Sequence, residues 1–159
     1  LAYYNPENRI PVSGDALWEN GFGVIFPELL GEADGLASTQ ETLEMLSRLP
    51  IDVVIPGHGA PFVTVDAAFE RAFRRLGNFR NNIEQLAWHA IKVIVSFAMM
   101  EKRQLPKEDF PAFVLSLPFA VDVNARFLNL SGEALVAGVE RQLLLVNALH
   151  RKDGMITAG

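Results

Sequence analysis

The chain has 159 residues, half of them hydrophobic and 21% charged, the balance of a globular chain with room for one ordinary domain or two small ones. It has no cysteine, which excludes a disulfide framework and a thiolate metal site, so any metal must be held by histidine and carboxylate. The formal net charge of -5 argues against a nucleic-acid backbone as the main partner.

The chain opens at Leu1 with no basic stretch leading into an apolar run, as expected of a chain that begins inside a domain and stays in the cytoplasm. Leu1 to Tyr4 is a short β-prone run closed by the turn-forming Asn5-Pro6-Glu7-Asn8, and Arg9 to Ser13 is a second run ending at Gly14-Asp15. The two suit a hairpin that delivers Asp15 to the edge of a sheet. From Phe26 to Gly35, a segment with Pro27 and Gly31, a short helical or irregular excursion is expected. Ser38 with Glu41 reads as a capping box, and Leu43, Leu46 and Leu49 follow at near-helical spacing until Pro50 stops the helix. Ile51 to Ile55 is an apolar, β-branched run that reads as a buried strand. It leads straight into the loop Pro56-Gly57-His58-Gly59, at the strand end where ligands of α/β folds bind.

After Pro61 the pattern becomes helical. Asp66 is placed to cap a long helix bearing Phe69, Phe73, Leu76, Ile83, Leu86, Ala90, Ile91 and Ile94, with Gly77-Asn78 as a point of kinking. Its most apolar part, Ala87 to Met100, contains His89, Lys92 and Ser96 and is shorter than the roughly 20 residues of a membrane span, so a buried helix is expected and no membrane. Gln104 to Pro111 reads as a proline-bearing connection. Ser131 caps a last helix with Leu135, Val136, Val139, Leu143, Val146 and Leu149 on one face, and Asp153-Gly154 turns into an extended Met155-Ile156-Thr157. The expected domains are 1–63, half of an α/β domain, and 64–159, a mostly helical module.

Two residues stand out chemically. Asp15 follows a strand-ending glycine, and a carboxylate has two oxygens with which to span two cations; His58 offers the usual neutral nitrogen ligand for zinc. A turn or capping role is the alternative for Asp15 alone. Gly14, Gly57 and Gly59 suit tight backbone paths beside a metal, or simple turns. In this order, with a helix-like segment between them, Gly14-Asp15 and Pro56-Gly57-His58-Gly59 resemble the C-terminal half of a hydrolase of the metallo-β-lactamase fold, the superfamily that includes glyoxalase II.

That resemblance implies an α/β fold, the C-terminal half of a four-layer αβ/βα sandwich, with two metal ions, usually zinc, between its sheets. It implies that Asp15 bridges the metals and His58 holds one, while a metal-bound hydroxide attacks an ester, thioester, lactone or similar bond of a small-molecule substrate. The family's upstream His-x-His-x-Asp-His run and its further histidine before the aspartate have no counterpart here. All three histidines of the chain follow Asp15. The expectation is therefore a fragment that is inactive alone and does not retain zinc, with no catalytic residue beyond the two ligands. The basic substrate-binding residues of glyoxalase II are not matched, so a glutathione thioester is disfavoured.

The other candidates have structural readings beside the functional ones. His89 lies on a helix face with no acidic or histidine partner three or four residues away, and His150 is expected near a helix C-terminus, where positive charge suits the dipole. Trp18, Phe22 and Phe26 wall a substrate pocket or pack in the core. The C-terminal helix followed by Asp-Gly and Met-Ile-Thr resembles the last helix and first wing of a winged-helix module, which several hydrolases of this fold carry. Arg141, Arg151 and Lys152 are few charges for a phosphate-tracking face, so nucleic-acid binding is not expected and a lid, packing or homo-oligomer role is. The rivals to a hydrolase are a non-catalytic binding or assembly module that keeps the fold and a nucleic-acid-processing phosphodiesterase of the same fold.

Overall fold

The computed structural model describes residues 2–159; Leu1, which opens the first expected run, lies outside them. The chain forms two compact units, one ending at Asn82 and one beginning at Ile83.

In the first unit, β1 (Tyr3–Asn5) and β2 (Ile10–Gly14) pair antiparallel. The Asn5 side-chain oxygen accepts the amide hydrogens of Glu7 and Asn8 and closes the turn between them. β3 (Ile55–Pro56) lies parallel to β2 on its other side, giving the order β1-β2-β3. A parallel pair needs a crossover, and α1 (Pro27–Leu30) and α2 (Gly35–Ser47) lie along it. α3 (Val65–Asn81) packs on α2. Leu17, Phe22, Leu29, Leu43, Val54, Ala72 and Leu76 form the centre of the core.

Several local expectations are corrected here. The capping box at Ser38 does not form, because α2 starts earlier, at Gly35, behind a left-handed Asp34 with no side-chain cap. The Glu28 carboxylate does that work from α1, accepting the Leu36 amide hydrogen at 2.5 Å, where a negative charge also suits the helix dipole. α3 begins after Thr64, and Asp66 lies within its first turn rather than capping it. The strand expected over Ile51–Ile55 shortens to Ile55–Pro56 plus a bridge from Val54 to Phe62. Only one face of the run is buried: Val54 is fully covered, whereas Ile55 is 40% exposed.

The helical stretch after Pro61 runs through Gly77 but is broken at Asn82 and does not form one module. α3 buries Phe69, Ala72, Leu76 and Phe79 and belongs to the first unit, so residues 64–82 join the α/β part rather than the helical one. The break falls at Asn82, whose backbone is extended, and Gly77 continues the helix with open space where a side chain would stand.

The second unit contains α4 (Ile83–Lys102), β4 (Gln104–Pro106), α5 (Phe110–Leu115), α6 (Pro118–Val123), α7 (Gly132–Leu145), β5 (Leu149–Lys152) and β6 (Met155–Ala158). Its sheet is antiparallel in the order β4-β6-β5. The expected loop at Gln104–Pro111 thus supplies a strand and the start of a helix, because Leu105 and Phe110 are needed in the core. Ser131 caps α7 as expected, its hydroxyl oxygen accepting the Ala134 amide hydrogen at 3.2 Å. Asp153 and Gly154, both at positive φ, make the two-residue β5–β6 turn that suits the strand twist. Gly138 leaves room for the Trp88 ring, which a Cβ would meet at 2.5 Å.

α4 is longer than its apolar centre implied. At 20 residues it is long and apolar enough to cross a bilayer by length and composition, and its Leu86, Ala87, Ala90, Ile91, Val95 and Met99 are buried in the fold. His150 is corrected too: it lies exposed in β5, beyond the end of α7.

Candidate metal centre

Asp15 is the first residue beyond β2 and His58 the second beyond β3, at the ends of the parallel pair. Parallel pairing puts both C-terminal ends on the same side, and two glycines let those ends close together. The Gly57 amide donates to the Gly14 carbonyl at 2.8 Å. A Cβ on Gly57 would stand 2.9 Å from the Gly14 carbonyl carbon and oxygen, which are backbone atoms that cannot swing aside. Gly14 itself is left-handed, φ 54, and turns the chain so that Asp15 leaves the sheet.

The result is a carboxylate and an imidazole facing each other, with His58 Nε2 4.0 Å from Asp15 Oδ1. Both side chains are about two-thirds or more exposed, at 67% and 73%, so an ion can reach them. Zinc bonds of about 2.0–2.2 Å at a tetrahedral angle set two donor atoms roughly 3.4 Å apart. Among the described residues, no group of three or more histidine, cysteine, aspartate or glutamate side chains gathers in metal-binding geometry. The two side chains stand as a pair, with no third such group beside them among the described residues. His89 and His150 belong to the other unit.

The backbone around Asp15 is fixed at several points. Ser13 is fully buried, and its hydroxyl donates to the Leu17 carbonyl at 2.6 Å. The Gly23 amide donates to the Asp15 carbonyl at 2.8 Å, and a Cβ on Gly23 would meet the Asp15 Cβ at 2.7 Å. Trp18 and Gly21 close a small turn by exchanging backbone hydrogen bonds.

The aromatic residues after Asp15 divide between roles. Phe22 is buried, packs edge-on to Phe79, and lines a cleft of about 250 Å³ with Asp15, Val24, Ile25, Ser38 and Thr42. Phe26 precedes α1 at its N-cap position. Trp18 stands edge-to-face with His58, ring centroids 5.0 Å apart. Sequence reasoning missed that contact, and it missed Arg71 and Arg75, one turn apart on α3. Arg71 Nε donates to the Glu19 carbonyl at 2.8 Å. Arg75 lies over the rings of Phe22 and Phe79, at 5.1 and 5.4 Å, and burial lowers its guanidinium pKa below the ordinary value. The spacing of the two arginines was visible, but nothing in the sequence showed that the loop after Asp15 would fold beneath them.

No family model matches this chain, and neither does any curated protein. Chains of known structure do match, among them a beta-lactamase domain protein from Burkholderia ambifaria, 19% identical, with a TM-score of 0.37. The match covers 99% of this chain and 43% of that one, so the chain spans less than half the length of that protein. At that degree of likeness neither fold nor chemistry passes from one to the other.

Proposed function

We propose that this chain is the C-terminal part of a metal-dependent hydrolase of the metallo-β-lactamase fold, with zinc as the metal and an ester, thioester, lactone or similar bond as its target. One observation carries the reading: Asp15 and His58, singled out for metal ligation, converge at the ends of two parallel strands with their side chains open to solvent. An exposed carboxylate and imidazole in contact distance form a hard anionic donor beside a neutral nitrogen donor, the combination zinc accepts. Asp15 would neutralise charge and offer its second oxygen to a neighbouring ion, while His58 would hold one ion through Nε2. A bound metal supplies Lewis acidity and lowers the pKa of water toward neutrality. The residues here hold and orient; they give only part of the shell, and the remaining ligands belong to sequence outside this chain. The reading makes the chain inactive by itself.

In the second unit, the order helix, strand, helices, strand, strand with the sheet β4-β6-β5 supports a winged-helix-like module. A nucleic-acid role for it is not favoured. Arg151 is held by Glu140 at 2.8 Å and so is partly neutralised, and Lys152, the next residue of β5, points to the opposite side of the strand.

The two-donor count among the described residues favours a second reading, a non-catalytic module that keeps the fold. The experiment that separates the two uses the longer protein: metal analysis with a panel of thioester, lactone and phosphodiester substrates. The hydrolase reading expects bound zinc, turnover of one substrate class, and loss of most activity in Asp15→Ala and His58→Ala with the fold intact. A metal-free protein that turns over none of them supports the non-catalytic module.

A further inference from the structure

We infer that Trp18 is a positioning residue for His58, fixing the imidazole so that Nε2 faces Asp15. The purpose of that role rests on the metal-site reading; the contact itself does not.

His58 needs such a support. Its side chain is 67% exposed, it sits between Gly57 and Gly59, and Gly59 is left-handed with nothing within 4 Å of where its Cβ would be. A solvent-exposed imidazole flanked by two glycines would sample several rotamers unless something held the ring. Trp18 is what touches it, edge-to-face at 5.0 Å, an arrangement with intrinsic attraction of about 0.5–1.5 kcal/mol beyond area burial.

Trp18 is itself immobilised. Its indole N–H donates to the Gly14 carbonyl at 2.9 Å, the same carbonyl that accepts the Gly57 amide hydrogen. One oxygen thus receives both the strand that carries His58 and the ring that steers it. The turn bearing Trp18 is closed by the Trp18–Gly21 backbone pair. It is tied to α3 by Arg71 on the Glu19 carbonyl, and the Thr64 hydroxyl adds a bond to the Glu19 carboxylate at 3.0 Å. Arg75 rests against Gly21, whose φ of 136 and missing Cβ make room for the guanidinium. A side chain that must be aimed at an ion is served by rigid neighbours.

The test uses the metal-free chain and two variants, Trp18→Phe and Trp18→Leu, with circular dichroism as the fold control. Nuclear magnetic resonance reads the His58 χ1 couplings and the nuclear Overhauser contact from the His58 ring to the Asp15 β protons, neither of which depends on an aromatic neighbour. The expected result is one fixed rotamer and a ring-to-Asp15 contact in the parent chain, partial averaging in Trp18→Phe, which keeps a ring but loses the indole anchor, and full averaging with loss of the contact in Trp18→Leu. Parent-like couplings and contact in both folded variants would overturn the inference; if Trp18→Leu does not fold, Trp18→Phe decides alone. Zinc titrated into the same samples should bind roughly 2–10-fold more weakly to Trp18→Leu than to the parent. Absence of zinc binding to every sample, the parent included, accords with a shell that has only two of its ligands here, and the rotamer result then decides the positioning role alone.

Discussion

Gly57 donates its amide hydrogen to the Gly14 carbonyl at 2.8 Å, at a separation that leaves no space for a Cβ on Gly57. This contact brings the chain ends carrying Asp15 and His58 together, so the two glycines belong to the site although neither has a side chain to offer. Gly57→Ala should cost about 1–3 kcal/mol through the forced backbone shift. Gly59→Ala meets no atom and should cost only the left-handed strain, about 1–2 kcal/mol. Gly77→Ala, in open helical space, should stabilise by about 0.5–1 kcal/mol. Urea denaturation of the three variants checks the order, and a Gly57→Ala variant as stable as the parent would show that the strand ends can part freely.

The helix caps give a second, independent check. Ser131→Ala removes the bond to the Ala134 amide and should cost about 1 kcal/mol. Ser38→Ala should be neutral or slightly stabilising, because Ser38 lies within α2 and caps nothing. Glu28→Ala removes the carboxylate that receives the Leu36 amide hydrogen and should cost about 1 kcal/mol. A large loss in Ser38→Ala with none in Glu28→Ala would restore the capping box.

Arg75 should couple to the aromatic residues beneath it. With its guanidinium over Phe22 and Phe79, Arg75→Ala is expected to cost about 1–2 kcal/mol. A double-mutant cycle with Phe22→Leu should return a coupling energy of about 0.5 kcal/mol or more. Additive single effects would mean that the ring contact contributes nothing.

The outer row of the sheet predicts self-association. Tyr3, Val12 and Ile55 lie side by side in register across β1, β2 and β3 and are 67%, 46% and 40% exposed. Apolar side chains in that row, beside a backbone edge at β3, favour pairing with another chain. Sedimentation should find a dimer or larger species at tens of micromolar, weakened by Val12→Lys. A parent chain that sediments as a compact monomer would contradict it.

Much of this was legible from local pattern. The hairpin before Gly14, the loop at His58, the Ser131 cap and the Asp153–Gly154 turn follow from turn chemistry and period, which act over a few residues. The extent of the Ile51–Ile55 strand was not, because an apolar run reads alike whether one face of its sheet is covered or both. The place of α3 was misjudged for a related reason: periodicity reveals an apolar stripe without naming its partner, and Phe69 and Phe79 proved to be buried in the first unit. Asp15 and His58 were visible as chemistry. The contact of Trp18 with His58 and the roles of Arg71 and Arg75 were not, since they arise between segments distant in sequence.

The central claim, that Asp15 and His58 together receive a metal ion, is tested most directly by titrating zinc into the 159-residue chain while following the resonances of every histidine and aspartate. Two ligands make half of a tetrahedral shell, so binding should be weak, well above micromolar, and the perturbed side chains should be His58 and Asp15, with His89 and His150 unmoved. Perturbation of His89 or His150 with His58 and Asp15 unchanged at saturating zinc would contradict the claim.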